Sequence, residues 1–145
     1  MKTEIKGSQA FSYVEVQLEP GERLITESDA MSSMDASIDL KPSMNGGFFS
    51  ALAKKFLGGE SFFVSNFINN TDAEKCLTIV QSTPGQITKV SLNDESLFLQ
   101  PGAFVACTEG VSLRLGWAGF LSWISKEGLF RLQVKGSGDV FYGAY

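Results

Sequence analysis

Near its start the sequence runs Val14-Glu15-Val16-Gln17-Leu18-Glu19, so that apolar and polar side chains alternate at every step. The same alternation returns at residues 111–115 and 130–135. Successive side chains of a β-strand point to opposite faces, and a period of two is therefore typical of strands with one buried and one solvated face. Residues 62–64 and 77–80 are more continuously apolar, which indicates strands covered on both sides. These patterns predict an all-β protein.

Turn-forming residues separate the apolar stretches at short intervals. The turn signals are Pro20-Gly21, Asn69-Asn70-Thr71-Asp72, Pro84-Gly85, Asn93-Asp94, Pro101-Gly102 and Gly136-Ser137-Gly138. Glycine, proline, asparagine and aspartate favour turns because their backbone preferences suit the tight reversals that strands avoid. Short strands with turns at this density predict a sandwich, a barrel or a rolled sheet. We expect one domain over residues 1–145, since the length and the 43% hydrophobic content suit a single core.

Composition excludes several classes of function. The chain contains no histidine, which removes Ser-His-Asp and Cys-His catalytic arrangements and every metal site that uses imidazole. Two cysteines are too few for a four-thiolate zinc site, and no phosphate-binding glycine loop occurs. A glycosidase-like pair of Glu60 and Glu127 is the remaining acid/base alternative, but caps or ion pairs at turns are the favoured interpretation of both. We therefore predict no enzyme activity, no cofactor and no metal.

Charge and hydropathy bear on partners and location. The net charge is −4, and the basic residues are scattered apart from Lys54 and Lys55, so we expect no nucleic-acid partner. The first residues carry charges and no apolar export segment, and no stretch approaches the roughly 20 apolar residues of a membrane-spanning helix. The sequence predicts a cytoplasmic location.

Two halves of the chain resemble each other. Six apolar positions between Leu24 and Leu40 recur, at one constant spacing, between Leu97 and Leu113. The order of turn, strand, insertion and strand is also shared. We predict two tandem repeats, at approximately residues 11–75 and 76–145. We expect that neither repeat builds a full core and that the two pack through their apolar strand faces.

Two segments, at residues 48–57 and 117–124, depart from the strand pattern and carry aromatic or aliphatic residues at helical spacing. This spacing predicts short helical or apolar insertions. Residues of these two segments form the candidate interaction surface, which consists of Phe48, Phe49, Leu52, Lys54, Lys55, Phe56, Trp117, Phe120, Trp123 and Ile124. One interpretation is an apolar surface flanked by lysines that suits anionic headgroups or an acidic protein partner. The other interpretation is burial in the core or at a subunit interface. It is favoured because large exposed apolar patches are rare in proteins without a partner.

Several of these segments together resemble a known family. The relevant motifs are Gly46-Gly47-Phe48-Phe49, Leu57-Gly58-Gly59-Glu60-Ser61-Phe62-Phe63, Pro84-Gly85, Gln100-Pro101-Gly102-Ala103-Phe104-Val105-Ala106 and Glu127-Gly128-Leu129-Phe130. In this order they are similar to the altered-inheritance-of-mitochondria family, also called the mitochondrial biogenesis AIM family, from about Ile5 to Tyr145. The resemblance implies a double-stranded β-helix of the tryptophan-RNA-binding-attenuator-like superfamily, a homotrimer and no established enzymatic activity. The RNA and tryptophan sites of the attenuator have no matching motif in this sequence.

The leading functional prediction is a non-enzymatic, oligomeric assembly or scaffold protein, with subunit contacts or membrane-surface contacts made by the apolar insertions. The alternative is a small-ligand-binding module, because rolled β domains often hold ligands at their open ends. The sequence identifies no particular small molecule.

Overall fold

The computed structural model describes residues 1–44, 63–100, 102–117 and 130–144, and every regular element within these ranges is a β-strand. The prediction of an all-β rolled sandwich is confirmed. The strands are β1 (Lys2–Ser8), β2 (Phe11–Leu18), β3 (Arg23–Glu27), β4 (Met31–Met34), β5 (Asp39–Met44), β6 (Phe63–Ile68), β7 (Lys75–Val80), β8 (Gln86–Leu99), β9 (Phe104–Thr108), β10 (Val111–Trp117) and β11 (Phe130–Ala144).

The strands form two sheets. The smaller sheet has the order β1-β2-β7-β4. The larger has the order β10-β11-β9-β3-β6-β5, with β8 pairing along β11. All strand pairs in both sheets are antiparallel. Non-consecutive strands therefore lie side by side, and the sheets are built from pairings between distant parts of the chain.

Two separate clusters of buried apolar side chains fill the structure. The first comes mainly from β2, β3, β6 and β7, and the second mainly from β8 to β11. Strands β3 and β9 are buried on both faces and supply both clusters, with Leu24 in the first cluster and its neighbour Ile25 in the second. The first cluster also takes Ile87, Val105, Ala106 and Phe141 from the second predicted repeat, and the second cluster takes Ile25 and Val64 from the first. The paired strands β3 and β9 lie between the two clusters. The expectation that neither repeat builds a full core on its own stays a prediction.

Two predicted turns are wrong because they lie inside long strands. Asn93-Asp94 lies within β8 and Gly136-Ser137-Gly138 within β11, where the pairing register shifts between Gly136 and Ser137. Asp94 is the extra residue of this β-bulge and has a φ of 54°, a conformation that aspartate tolerates better than most residues. One extra residue reverses which side chains face inward, so Val90 and Leu92 before the bulge and Leu97 and Leu99 after it all pack in the second cluster, whereas Ile87 at the start of β8 belongs to the first.

The strand pairings of the two halves correspond residue by residue. Leu40↔Phe67 in β5–β6 has its counterpart in Leu113↔Val134 in β10–β11, with 73 residues added on one strand and 67 on the other. The same two spacings relate β3–β6 to β8–β11, where Leu24↔Phe67 corresponds to Leu97↔Val134. The predicted duplication stays a prediction, and its proposed boundary after residue 75 falls inside β7.

The irregular pairings correspond as well. Strand β4 pairs with β7 across a register shift between Met31 and Ser33, and β9 pairs with β11 across a shift at the counterpart position. Met34↔Leu77 thereby corresponds to Cys107↔Val140, with spacings of 73 and 63. In this correspondence β4 is the counterpart of β9, and the end of β8 is the counterpart of β3.

Candidate functional site: unpaired strand edges

Most of the candidate interaction surface lies outside the described residues. Phe48, Phe49, Leu52, Lys54, Lys55 and Phe56 lie there, as do Phe120, Trp123 and Ile124. Trp117 is described, and its place in a helical insertion is wrong: it is the last residue of β10 and pairs with Phe130 of β11. The strand continues to this position because β10 follows β11 over its whole length.

Two aspartates of the sequence make structural hydrogen bonds. The Asp35 carboxylate accepts a hydrogen bond from the Cys76 backbone N–H at 2.7 Å, and that of Asp39 accepts one from the Asn70 side chain at 2.6 Å. Within the described ranges, no group of three or more acidic or cysteine side chains is placed to hold a metal ion. Glu60 and Glu127 lie outside these ranges.

The two cysteines differ in environment. Cys107 lies in the second cluster, where burial raises the pKa of its thiol to about 12, so that it stays protonated at neutral pH. Cys76 is exposed. Both are free thiols, and the buried one lacks the thiolate character that nucleophilic chemistry requires.

A polar cleft of about 330 Å³ lies beside the turn between β2 and β3. Arg23 and Glu109 form an ion pair at 2.9 Å in its wall, and Asp139 lies nearby. Burial acts to raise the pKa of Asp139, but hydrogen bonds from Lys89 and Ser91 outweigh it and hold that pKa below its usual value. Arg23 is thus paired with Glu109 and Asp139 with Lys89, while Arg23 Nε is buried without a hydrogen-bond partner in the described structure.

A second cleft, of about 270 Å³, lies between the start of β2 and the loop after β7. Phe11 at its edge is 69% exposed. The Gln81 side-chain amide is buried without a hydrogen-bond partner in the described structure. No charged side chain lines this cleft among the described residues. Ligand binding in either cleft stays a prediction.

The strand edges differ in how they are protected. The edge strand β1 carries Lys2, Glu4 and Lys6, and the edge strand β5 carries Asp39, Lys41 and a proline. Charges and prolines on edge strands prevent other chains from adding a strand. The edges of β1 and β5 are therefore protected against pairing with a strand of another chain.

Strand β4 and the end of strand β8 lack this protection. Strand β4 reads Met31-Ser32-Ser33-Met34 and ends the smaller sheet, with no charged side chain. Strand β8 pairs only with β11 among the described strands, and its last four residues, Ser96-Leu97-Phe98-Leu99, are uncharged. Both strands leave a row of backbone N–H and C=O groups without a strand partner on one side.

An exposed aromatic side chain lies on the unprotected end of β8. Phe98 is 57% exposed, whereas its counterpart in β3, Ile25, is 8% exposed. Ile25 is covered because β9 continues the sheet beside β3 and the second cluster packs over it. Phe98 has no such neighbouring strand on its free side among the described residues.

Comparison with known proteins identifies the family to which the chain belongs. The sequence profile of the family described as mitochondrial biogenesis AIM24 matches residues 3–145, almost the whole chain. The chain belongs to the mitochondrial biogenesis AIM24 family. The resemblance drawn from the glycine-rich motifs is thus confirmed at the level of the family.

Relatives of this AIM24-family chain occur in Streptococcus pyogenes. An uncharacterized protein of serotype M6 is 25% identical over 156 residues, which cover 97% of this chain and 62% of the relative. The X-ray crystal structure of a protein from S. pyogenes matches with a TM-score of 0.76 at 23% identity, covering 99% of this chain and 64% of that one. The likeness to the crystal structure concerns the fold, and the chain spans just under two thirds of the length of both relatives.

Within the described residues, no helix has the length and apolar character needed to cross a bilayer. Sequence reasoning missed the unpaired edges of β4 and β8, because an edge is defined by which strands lie beside it. The signal available in the sequence was the absence of charge from residues 31–34 and 96–99.

Proposed function

We propose that this AIM24-family protein is a non-enzymatic, homo-oligomeric assembly protein whose subunits join through the unpaired edges of β4 and β8. The observation that carries the proposal is the exposed Phe98 on an uncharged, unpaired strand end. Strand addition at such an edge is a common mode of protein association, since main-chain hydrogen bonds supply affinity and alternate side chains supply specificity. The charged edges of β1 and β5, and Arg114 on the edge strand β10, direct association to β4 and β8.

The energetics favour burial of this edge. Removing a phenylalanine side chain from water contributes about 1.5–3 kcal/mol. Backbone groups on the same edge gain partners in place of water, at about 0.5–1.5 kcal/mol net for each hydrogen bond. Several such contacts offset the loss of translational and rotational freedom on association.

The finer features of the proposal are a homotrimer and a cytoplasmic location. The trimer follows from the family resemblance. The location is supported by the two free cysteines, which suit a reducing compartment. The apolar insertions remain the proposed contacts to a membrane surface or to a protein partner.

Light scattering coupled to gel filtration tests self-association. We expect the wild-type chain to form trimers at micromolar concentration, and Phe98→Lys to raise the dissociation constant by about 100-fold or more, because a charge replaces the apolar contact. Ile5→Lys is the matched control: Ile5 is 38% exposed on the charged edge strand β1, and we expect no change in size.

A wild-type chain that stays monomeric at tens of micromolar would contradict the proposal. Equal particle sizes for the wild type and Phe98→Lys would also contradict it. Circular dichroism of each variant establishes that a change in size does not come from unfolding.

A further inference from the structure

The junction between the two halves of the chain joins one strand from each. Strand β3 of the first half pairs with β9 of the second through Leu24↔Thr108, Ile25↔Cys107 and Thr26↔Ala106. The two strands are not counterparts of each other, so the junction is head-to-tail in character. Such a junction leaves one complementary edge unused on each half.

The unused edges are those of β4 and β8. Strand β4 is the counterpart of β9, because both pair with their neighbour across the same register shift. The end of β8 is the counterpart of β3, because β8 pairs with β11 as β3 pairs with β6. Within the described chain, β4 lies at the end of its sheet and β8 pairs only with β11, so the second copy of the junction is not made.

We propose that β8 of one subunit pairs antiparallel with β4 of a second copy of this chain, in the register of the internal β3–β9 junction. The inference rests on the proposed self-association and specifies its geometry. Carrying the three internal pairs over by 73 residues gives the contacts, which are Leu97 with Asp35 of the partner subunit, Phe98 with Met34 of the partner subunit, and Leu99 with Ser33 of the partner subunit.

The side chains at these positions suit each other. Phe98 takes the place of Ile25, whose buried side chain lies opposite Cys107 in the internal junction. Met31 and Met34 are partly buried at the margin of the first core cluster. Flexible methionine side chains adapt well to an aromatic neighbour. Phe98 thereby extends the first core cluster of the partner subunit.

One feature of the internal junction is not reproduced between subunits. The Arg23–Glu109 ion pair lies at the end of the β3–β9 pairing. The counterpart residues are Ser96 and Ala36, which are uncharged. The junction between subunits therefore lacks this ion pair and depends on backbone hydrogen bonds and the contact of Phe98 with Met34 of the partner subunit. Asp35 of the partner subunit is the one charged residue in the three pairs, and within each subunit the Asp35 carboxylate accepts a hydrogen bond from the Cys76 backbone N–H. The strength of the junction is therefore expected to depend little on salt concentration.

Because each copy offers one β8 edge and one β4 edge, the same contact repeats from subunit to subunit. A head-to-tail contact closes into a ring when its rotation fits and otherwise continues as a filament. In a closed trimer, three internal junctions alternate with three junctions between subunits. The edge of β4 and the end of β8 are then paired, and the edges of β1, β5 and β10 stay outside this contact.

Cysteine cross-linking tests the register. The background variant is Cys76→Ser, which removes the exposed native thiol and retains buried Cys107. In this background we introduce Phe98→Cys with Met34→Cys, and separately Ser96→Cys with Ala36→Cys, which leaves Phe98 in place. Mild oxidation is followed by mass spectrometry of the disulfide-linked peptides. We expect links between residues 34 and 98 and between residues 36 and 96, joining different chains.

The control pair is Phe98→Cys with Lys6→Cys on the charged edge of β1, for which we expect no link. Particles that remain oligomeric by light scattering but yield neither expected link would overturn the register while leaving self-association intact. A chain that is monomeric by light scattering would overturn both the register and the proposed function. Links between residues 98 and 6 at equal yield would also overturn the register.

Discussion

Asn69 shows how one buried side chain organises a whole turn. It is fully buried, and its amide donates hydrogen bonds to the backbone carbonyls of Leu18 and Ala73, each at 2.8 Å. Its side-chain oxygen accepts hydrogen bonds from the backbone N–H and the hydroxyl of Thr71. The Asn69-Asn70-Thr71 sequence has the form of a glycosylation acceptor, but the Asn69 amide is engaged inside the fold.

We predict that Asn69→Ala lowers the free energy of unfolding by about 2–4 kcal/mol, since it removes four hydrogen bonds at about 0.5–1.5 kcal/mol each and takes this partner from the buried Leu18 carbonyl. Urea denaturation at a fixed protein concentration measures the change. Asn70→Ala is the control, because Asn70 is exposed and bonds only to Asp39 in the described structure; we expect a loss below about 0.5 kcal/mol. Similar losses for the two variants would show that the burial of Asn69 has no special importance.

At the scale of elements, the long pair β8–β11 bends through its bulge. Gly136 has a φ of 138°, and a Cβ atom there would lie 2.2 Å from the Gly110 carbonyl oxygen. The backbone N–H of Ser137 donates a hydrogen bond to the same carbonyl oxygen at 3.1 Å. Glycine is thus required at this position by the close approach of two backbones as well as by conformation.

The two requirements can be separated by substitution. We predict that Gly136→Ala lowers the free energy of unfolding by about 2–4 kcal/mol, from backbone strain of about 1 kcal/mol and the steric conflict with Gly110. Gly102→Ala is the matched control, because Gly102 also has a positive φ, of 90°, but no atom of the described residues lies within 4 Å of its Cβ position. We expect it to cost only the strain. Thermal or urea unfolding of the two variants gives the comparison, and equal losses would argue against the close approach.

At the scale of the whole molecule, the two core clusters share a wall. Strands β3 and β9 contribute side chains to both clusters. Loss of packing in one cluster therefore removes contacts from the same two strands that support the other cluster. This arrangement favours a single cooperative unfolding transition. Association through β4 and β8 would repeat this arrangement between subunits, with one pair of strands contributing to core clusters on both sides.

We predict that Phe67→Ala, in the first cluster, lowers the protection of backbone amides in both clusters against hydrogen exchange by the same free energy. The expected loss is about 3–5 kcal/mol for removal of a buried phenylalanine side chain. Leu132→Ala in the second cluster is the reciprocal variant, with an expected loss of about 2–5 kcal/mol. Amides of β10 and β11 that keep wild-type protection in Phe67→Ala would show that the halves unfold independently.

Much of the fold follows from local patterns. Alternation at residues 14–18 and 130–134 predicted strands that the structure contains, and Pro20-Gly21 and Asn69 to Asp72 separate strands as expected. Asn93-Asp94 was wrong as a turn because the same residues suit a bulge, and the choice depends on the partner strand. Trp117 was wrong as part of an insertion because pairing with Phe130 extends β10 beyond its alternating residues.

The candidate site was the least predictable part. Phe98 is one apolar residue among several in β8, and its exposure depends on β8 having no second neighbour in the described structure. The aromatic insertions attracted attention in the sequence because of their composition. An unpaired edge has no such signature apart from missing charges.

The amino-acid sequence by itself determined the all-β character, the family and the exclusion of histidine chemistry, because alternation, motif residues and composition are properties of short segments or of counts. Only the tertiary structure decided the strand order, the bulge in β8, the two cores and the edges left open. These depend on backbone pairing between residues far apart in the chain, and a local pattern states that a segment will be a strand but not which strand it will lie beside.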